Sequence, residues 1–230
     1  MTDSPPPISA TNEDVLVQSL PTVSRLALAY APKAARAQTL ALLALDARLA
    51  HLLRHSREPM MAQLRLAWWR ESLGQSATNW PSGEPLLALL SSWHDKHQGL
   101  TALVDGWEAM TGPAPLPPTA LEAMAQGRAD AFVALAEALG RGHEREAVGR
   151  LARSWALSDL AMRLGHASER DAAREMALAD RAKGVRVSRV LRPLLVLHGL
   201  AARRLDRGEE AAATSPAAVL KAMRLGLLGR

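Results

Sequence analysis

The chain of 230 residues contains no cysteine and very few aromatic residues. The first absence excludes disulfides and thiolate metal sites and makes a reducing, cytoplasmic compartment the default expectation. Aromatic residues make up only 3% of the chain, with one Phe, one Tyr and six Trp, and Ile8 is its only isoleucine. Because strands favour β-branched and aromatic residues, this composition argues against a sheet.

Long apolar runs are also missing, which argues against a protein with membrane-spanning helices. No run reaches the ~18–20 apolar residues that a membrane-spanning helix requires. The first fifteen residues, MTDSPPPISATNEDV, are acidic and rich in proline, and they carry neither a hydrophobic nor an Arg-rich targeting pattern. We therefore predict no signal or transit peptide, and we interpret residues 1–12 as a disordered leader.

Alanine and leucine dominate the 48% of the chain that is apolar, and their spacing of three and four residues is typical of helices. The pattern predicts helices near 13–20, 24–31, 33–54, 59–75, 85–97, 100–110, 119–139, 144–164, 168–182, 185–205 and 215–228. The Pro-rich run 111–118 is the clearest break. Since each half offers only a few helices of modest length, we expect one all-α domain over residues 13–230.

The net charge of +5 is concentrated in the second half of the chain. Its sharpest feature is the series Arg181, Lys183, Arg186, Arg189 and Arg192. In the predicted helix 185–205, three of these arginines recur every three residues and form a stripe along one flank. A solvated face is one interpretation, and contact with anionic lipid or diphosphate is the other. No nucleic-acid recognition motif accompanies the series.

A tandem tryptophan flanked by arginines marks the run EPMMAQLRLAWWRESL, where Glu-Pro predicts a helix start. The Trp pair can be core, with its arginines paired to Glu58, Glu71 or Asp105. The alternative is a surface for a ligand or partner. The residues of this candidate surface are Arg36, Arg65, Trp68, Trp69, Arg70, Asp105 and Glu108. Asp105 and Glu108, one turn apart, are more often an arginine partner than a metal site.

The order of these features resembles a known family. Tyr30 and Arg36 precede ALLALDARLAHLLRHS, then Glu-Pro, RLAWWRESL and LVDGWEAM. This order is similar to that of the squalene/phytoene synthase family, and most similar to its branch related to the mitochondrial complex I assembly factor. The resemblance implies an all-helical isoprenoid-synthase fold.

Enzymes of this family join two prenyl diphosphates with Mg²⁺, which two Asp-rich helical motifs hold. By the resemblance, the aspartates of the first motif would fall near Ala50, His51 and Arg54, none of which is a carboxylate. Asp46 lies one turn too early for that motif. In the second motif, Asp159 is the only carboxylate between residues 150 and 169. A lone aspartate there does not suffice for a trinuclear magnesium cluster.

The sequence therefore predicts a non-catalytic member of the family that acts as a lipid- or partner-binding or assembly factor, without a metal site or cofactor. The resemblance implies an isoprenoid or other lipid, a respiratory-complex subunit and peripheral contact with the inner face of a membrane as partners. The alternative is an active, Mg²⁺-dependent prenyl transferase. The identity of the lipid or partner and the oligomeric state are open at this stage.

Overall fold

The structure, a computed structural model, describes residues 10–55, 58–207 and 215–229, and every regular element in these ranges is helical. The α-helices span Ala10–Ser19 (α1), Thr22–Leu28 (α2), Lys33–His55 (α3), Pro59–Gly74 (α4), Pro85–Leu90 (α5), Thr101–Ala109 (α6), Pro118–Ala138 (α7), Arg145–Arg163 (α8), Ala167–Ala179 (α9), Arg192–Arg207 (α10) and Pro216–Met223 (α11). A π-helical turn, Arg224–Leu228, continues α11. The predicted all-α class is confirmed.

Three local predictions are wrong. The predicted helix 85–97 ends at Leu90, and His94 and Asp95 take left-handed φ values of +47° and +64°. Residues 10–12 of the predicted disordered leader already belong to α1, and residues 1–9 lie outside the described ranges. The predicted helix 185–205 begins only at Arg192, because residues 181–188 are not helical and Gly184 takes a left-handed φ of +68°. Arg186 and Arg189 therefore precede that helix, and the predicted arginine stripe along its flank does not exist.

Helices α7 and α8 pack against each other in antiparallel orientation at the centre of the bundle. Helix α6 lies along α7, whereas α9 and α10 pack on α8, and α3 covers α6 and α7. Alanine and leucine fill the core that these helices share. Packing of their apolar faces stabilises helices that would be marginal alone. Within the described ranges, no helix combines the length and the apolar character needed to cross a bilayer.

Two glycines bring α6 and α7 unusually close together. A Cβ atom on Gly127 would lie 2.3 Å from the carbonyl oxygen of Ala102, and one on Gly106 would lie 3.2 Å from the carbonyl oxygen of Ala123. A larger residue at position 127 would therefore force the two backbones apart. The close approach places the residues that follow the glycines, Trp107 and Arg128, side by side at the centre of the bundle.

Candidate functional site: a buried arginine between two aspartates

Arg128 lies on the face of α7 that points into the core. The neighbouring positions on this face alternate at spacings of four and three residues and are buried: Leu121, Ala125, Phe132 and Leu135. Helical periodicity therefore carries the Arg128 side chain into the bundle, where only 7% of it is exposed. An ionised side chain this far from water requires partners that replace its hydration.

Two aspartates on facing helices supply these partners. The Arg128 guanidinium donates to both oxygens of Asp46 on α3, from Nη2 at 3.0 Å and from Nε at 3.2 Å, which is a bidentate arrangement. Its Nη1 donates to Oδ2 of Asp159 on α8 at 3.2 Å. Trp107 Nε1 donates to Asp46 at 2.8 Å, and Arg163 Nε donates to the remaining oxygen of Asp159 at 2.7 Å. All four carboxylate oxygens therefore accept a hydrogen bond from a protein N–H.

Indole rings enclose the guanidinium. Its Cζ atom lies 5.3 Å from the ring centroid of Trp107 and 4.9 Å from that of Trp155. Both distances fall within the range of cation–π attraction, which is strongest where water is excluded. Phe132 meets Trp155 edge to face at 5.5 Å and fixes the orientation of that ring. The cation is thus held by charge, hydrogen bonds and aromatic faces together.

The two carboxylates also determine the ionisation of Arg128. Burial by itself lowers the pKa of this guanidinium, but the charges of Asp46 and Asp159 and their hydrogen bonds outweigh burial, so the pKa is raised. Arg128 is therefore a permanent cation, and it balances part of the charge of the aspartates. Beside the three groups lies a cavity of about 30 Å³, which Arg54 and Arg163 also line. This volume suffices for about one or two water molecules.

The structure brings together only part of the predicted surface around the tryptophan pair. Arg70 on α4 donates to Asp105 through Nε at 2.7 Å and also pairs with Glu108, so that both carboxylates of α6 share one guanidinium. These hydrogen bonds, to Glu108 first and then to Asp105, raise the pKa of Arg70. This cluster resembles the Arg128 cluster in its chemistry but lies at the surface, with 37% of the arginine side chain exposed.

The remaining members of that predicted surface divide between one groove and a separate ion pair. Trp69 is 3% exposed and belongs to the core, whereas its neighbour Trp68 is 40% exposed, and Arg65 is exposed as well. These three residues line one groove, where the two indole rings meet edge to face with their centroids 5.0 Å apart. Arg36 instead pairs with Glu13 of α1 at 3.4 Å.

Trp68 also belongs to an apolar stripe on the outer side of α4. Met60, Leu64 and Trp68 follow one another at intervals of four residues, and their exposed fractions are 70%, 58% and 40%. A groove of about 460 Å³ lies beside this stripe, and Arg48, His51 and Arg65 are among its lining residues. The charge of His55 first, then burial, and then the charges of Arg54 and Arg48 lower the pKa of His51. Glu84, which pairs with Arg48 at 3.6 Å, also lines the groove.

The predicted basic series is divided among several roles. Arg181 pairs with Asp206, and Arg192 donates through Nη1 to the carbonyl oxygens of Gly226, at 3.1 Å, and Leu227, at 2.6 Å. Lys183, Arg186 and Arg189 are exposed. Within the described part of the chain, no three His, Asp or Glu side chains converge as a metal centre would require.

Sequence reasoning did not identify Arg128 as a site residue, although a signal for it is present. Arg128 stands at a position of α7 where the spacing of the apolar residues, alternately four and three, predicts a buried side chain. An arginine at such a position indicates a buried charge. The sequence points to Asp46 and Asp159 as isolated carboxylates, but their convergence on one guanidinium depends on how α3, α7 and α8 cross.

Comparison with family models, with curated proteins and with solved structures yields no match to this chain. Its function must therefore be inferred from residues and geometry. The described residues present one feature with distinct chemistry at the centre of the bundle, the Arg128 cluster. They also present exposed apolar surfaces on the outside, of which the α4 stripe is one.

Proposed function

We propose that this chain is a non-catalytic protein on a squalene/phytoene synthase-like, isoprenoid-synthase type of scaffold, and that it acts as a binding or assembly factor. One observation carries the proposal: Arg128 occupies the space between Asp46 and Asp159. By the family resemblance, these are the carboxylates that remain near the two metal motifs. By that resemblance, active members would use such carboxylates to face a metal-bound diphosphate, whereas these two face a guanidinium cation.

The hydrogen bonds at this centre support the proposal. Each oxygen of the two aspartates already accepts from Arg128, Trp107 or Arg163. A magnesium ion requires such oxygens as ligands in near-octahedral geometry. Binding one here would break charge-assisted hydrogen bonds and would place a divalent cation beside a buried monovalent one. Both costs oppose metal binding at this position.

The available space supports the same conclusion. Pockets for organic ligands usually measure about 300–1,000 Å³. The cavity beside Arg128 measures about 30 Å³, and Trp155 and Asp159 are among the residues that close it. Two prenyl chains would require the central helices to separate.

The α4 stripe supports a binding role. Met60, Leu64 and Trp68 stand on one line along the outer face of the helix and remain exposed. Anchors at i, i+4 and i+8 suit an amphipathic partner helix, and exposed aromatic residues are enriched where proteins associate. A subunit of a respiratory membrane complex, as the resemblance implies, is the partner that we propose.

Incubation of the pure chain with Mg²⁺ and farnesyl diphosphate tests the catalytic half of this proposal. We expect diphosphate release at the rate of a protein-free control. Mg²⁺-dependent release above that rate, abolished in Asp46→Asn, would overturn the proposal in favour of an active prenyl transferase.

Co-purification with respiratory-complex subunits tests the binding half. We expect capture by the parent chain, loss in Trp68→Ala, and retention in the control Leu178→Ala, which alters a side chain of similar exposure, 47%, on α9. Capture that is absent, or that is equal in both variants, would contradict the assignment of the stripe.

A further inference from the structure

The segment formed by α11 and the π turn after it, residues 216–228, has two contrasting faces. Its inner face is narrow and small: Ala218, Ala222, Leu225 and Gly226 are buried. The outer face carries five exposed apolar side chains, whose exposed fractions are 39% for Val219, 66% for Leu220, 44% for Met223, 60% for Leu227 and 58% for Leu228. So many large apolar side chains on one short segment mark an interaction surface.

The segment is held firmly in place by three contacts. The Tyr30 ring packs directly on Gly226, where an added Cβ atom would lie only 2.1 Å from the ring. Leu225 packs on Gly199 of α10 in the same way, since a Cβ atom there would lie 2.2 Å from the leucine. Arg192 donates to the carbonyl oxygens of Gly226 and Leu227. These are carbonyls of the last turn, which lack helical partners, and a cation suits this negative end of the helix. Leu227 and Leu228 are thus presented outward on a supported backbone.

Positive charge surrounds the apolar face. Arg189 and Arg192 line a groove of about 400 Å³ that ends at Tyr30 and Leu227. Arg224 is exposed on the segment itself. Burial lowers the pKa of Lys221, the charge of Asp206 raises it, and the charges of Arg203, Arg224 and Arg181 lower it again. Asp206 is itself paired with Arg181. The exposed Arg189 and Arg224 therefore give the edge of the apolar face its positive charge.

We propose that the segment 216–228 is a docking surface for a bilayer that contains anionic phospholipids. Its apolar side chains enter the boundary between headgroups and acyl chains, while Arg189 and Arg224 bind lipid phosphates. Apolar side chains on one face with cations at its edge are the features of an interfacial helix. A second copy of this chain would oppose positive charge to positive charge. This inference extends the proposed binding function to a lipid surface, and it depends on residues remote in sequence from Asp46, Arg128 and Asp159.

Sedimentation with lipid vesicles tests the proposal on the full chain. We expect partitioning onto phosphatidylcholine vesicles that contain phosphatidylglycerol, little onto phosphatidylcholine alone, and a decrease as salt screens the charges. Leu220→Ser combined with Leu227→Ser should lower the partition coefficient at least about tenfold. Arg189→Gln and Arg224→Gln should each lower it about fivefold.

Matched variants distinguish this surface from a general effect. Leu178→Ser removes a leucine of similar exposure from α9, and Arg150→Gln removes an exposed arginine from α8. Both should partition as the parent chain does. Because Arg224 is exposed, its substitution leaves the fold intact, and a circular dichroism spectrum verifies this for every variant.

Several outcomes would overturn the proposal. These are an absence of vesicle binding, equal binding to neutral vesicles, or equal losses in the control variants. A parent dimer that Leu220→Ser with Leu227→Ser converts to a monomer would assign the surface to a second copy instead. Vesicle sedimentation does not measure diphosphate release. A negative result would therefore contradict the lipid surface and leave the proposal of a non-catalytic protein unaffected.

Discussion

Replacing Arg128 with methionine should destabilise the protein severely. The substitution keeps a long apolar stem between Trp107 and Trp155 but removes the charge and the three hydrogen bonds to the aspartates. Removing one partner of a buried ion pair costs about 3–5 kcal/mol, because the remaining charge is left without compensation. Global stabilities of about 5–15 kcal/mol are typical, so this loss would be a large fraction of the total.

A double variant provides a second, independent measure of this loss. Adding Asp46→Asn to Arg128→Met removes one uncompensated charge and should recover part of the stability at pH 7.

Arg70→Met is the matched control, because Arg70 also bridges two carboxylates, Asp105 and Glu108, but in contact with water. Exposed pairs contribute about 0–1 kcal/mol, so this variant should lose little. Urea unfolding at pH 7, followed by tryptophan fluorescence, measures these variants. An equal loss in Arg128→Met and Arg70→Met, or no recovery of stability when Asp46→Asn is added to Arg128→Met, would refute the reasoning.

Two further predictions concern other parts of the core. Burial first, and the charges of Lys221 and Arg181 after it, lower the pKa of His198 to about 4 from an ordinary value of 6.5, so the unfolded chain binds the proton more tightly. Stability should therefore fall by about 2 kcal/mol from pH 7 to pH 5 through this group, and His198→Gln should remove that component of the measured slope. An unchanged slope would contradict this expectation. Gly127→Ala should lower the free energy of unfolding by about 1–3 kcal/mol or more, because its Cβ would meet a backbone carbonyl at 2.3 Å. Gly149→Ala on α8 is the control and should be neutral or stabilising, because the atom nearest to its Cβ would be 3.6 Å away. Thermal unfolding measures both, and equal effects would show that the α6–α7 contact yields easily.

The fold class and the longer helices could be predicted from the sequence because helical periodicity is a local property. Helices α3, α7 and α8 begin and end within a residue or two of the predicted positions. The prediction failed where a local pattern was ambiguous. The arginines from 186 to 192 repeat every three residues, but Gly184 and Pro193 flank a segment that is not helical before Arg189.

The candidate site could be predicted only in part. Through the family resemblance, the sequence predicted that Asp46 and Asp159 lack the companions of a metal motif. It also offered Asp105 as one of three carboxylates that could pair with the arginines beside the tryptophans. It did not indicate that Trp68 would face outward while Trp69 entered the core. That division depends on which side of α4 packs against α6.

Local sequence by itself determined the all-α class, the break at the Pro-rich run and the isolation of Asp159 as the only carboxylate between residues 150 and 169. Only the tertiary structure decided that Asp46, Arg128 and Asp159, which are 82 and 31 residues apart along the chain, share one buried centre. The physical reason is the range of the interactions. Helix propensity acts over a few residues, whereas the pairing of buried charges depends on how helices cross. Here the crossing of α3, α7 and α8 brings the three charges together, while Gly106 and Gly127 let the backbones of α6 and α7 meet and so bring Trp107 beside Arg128.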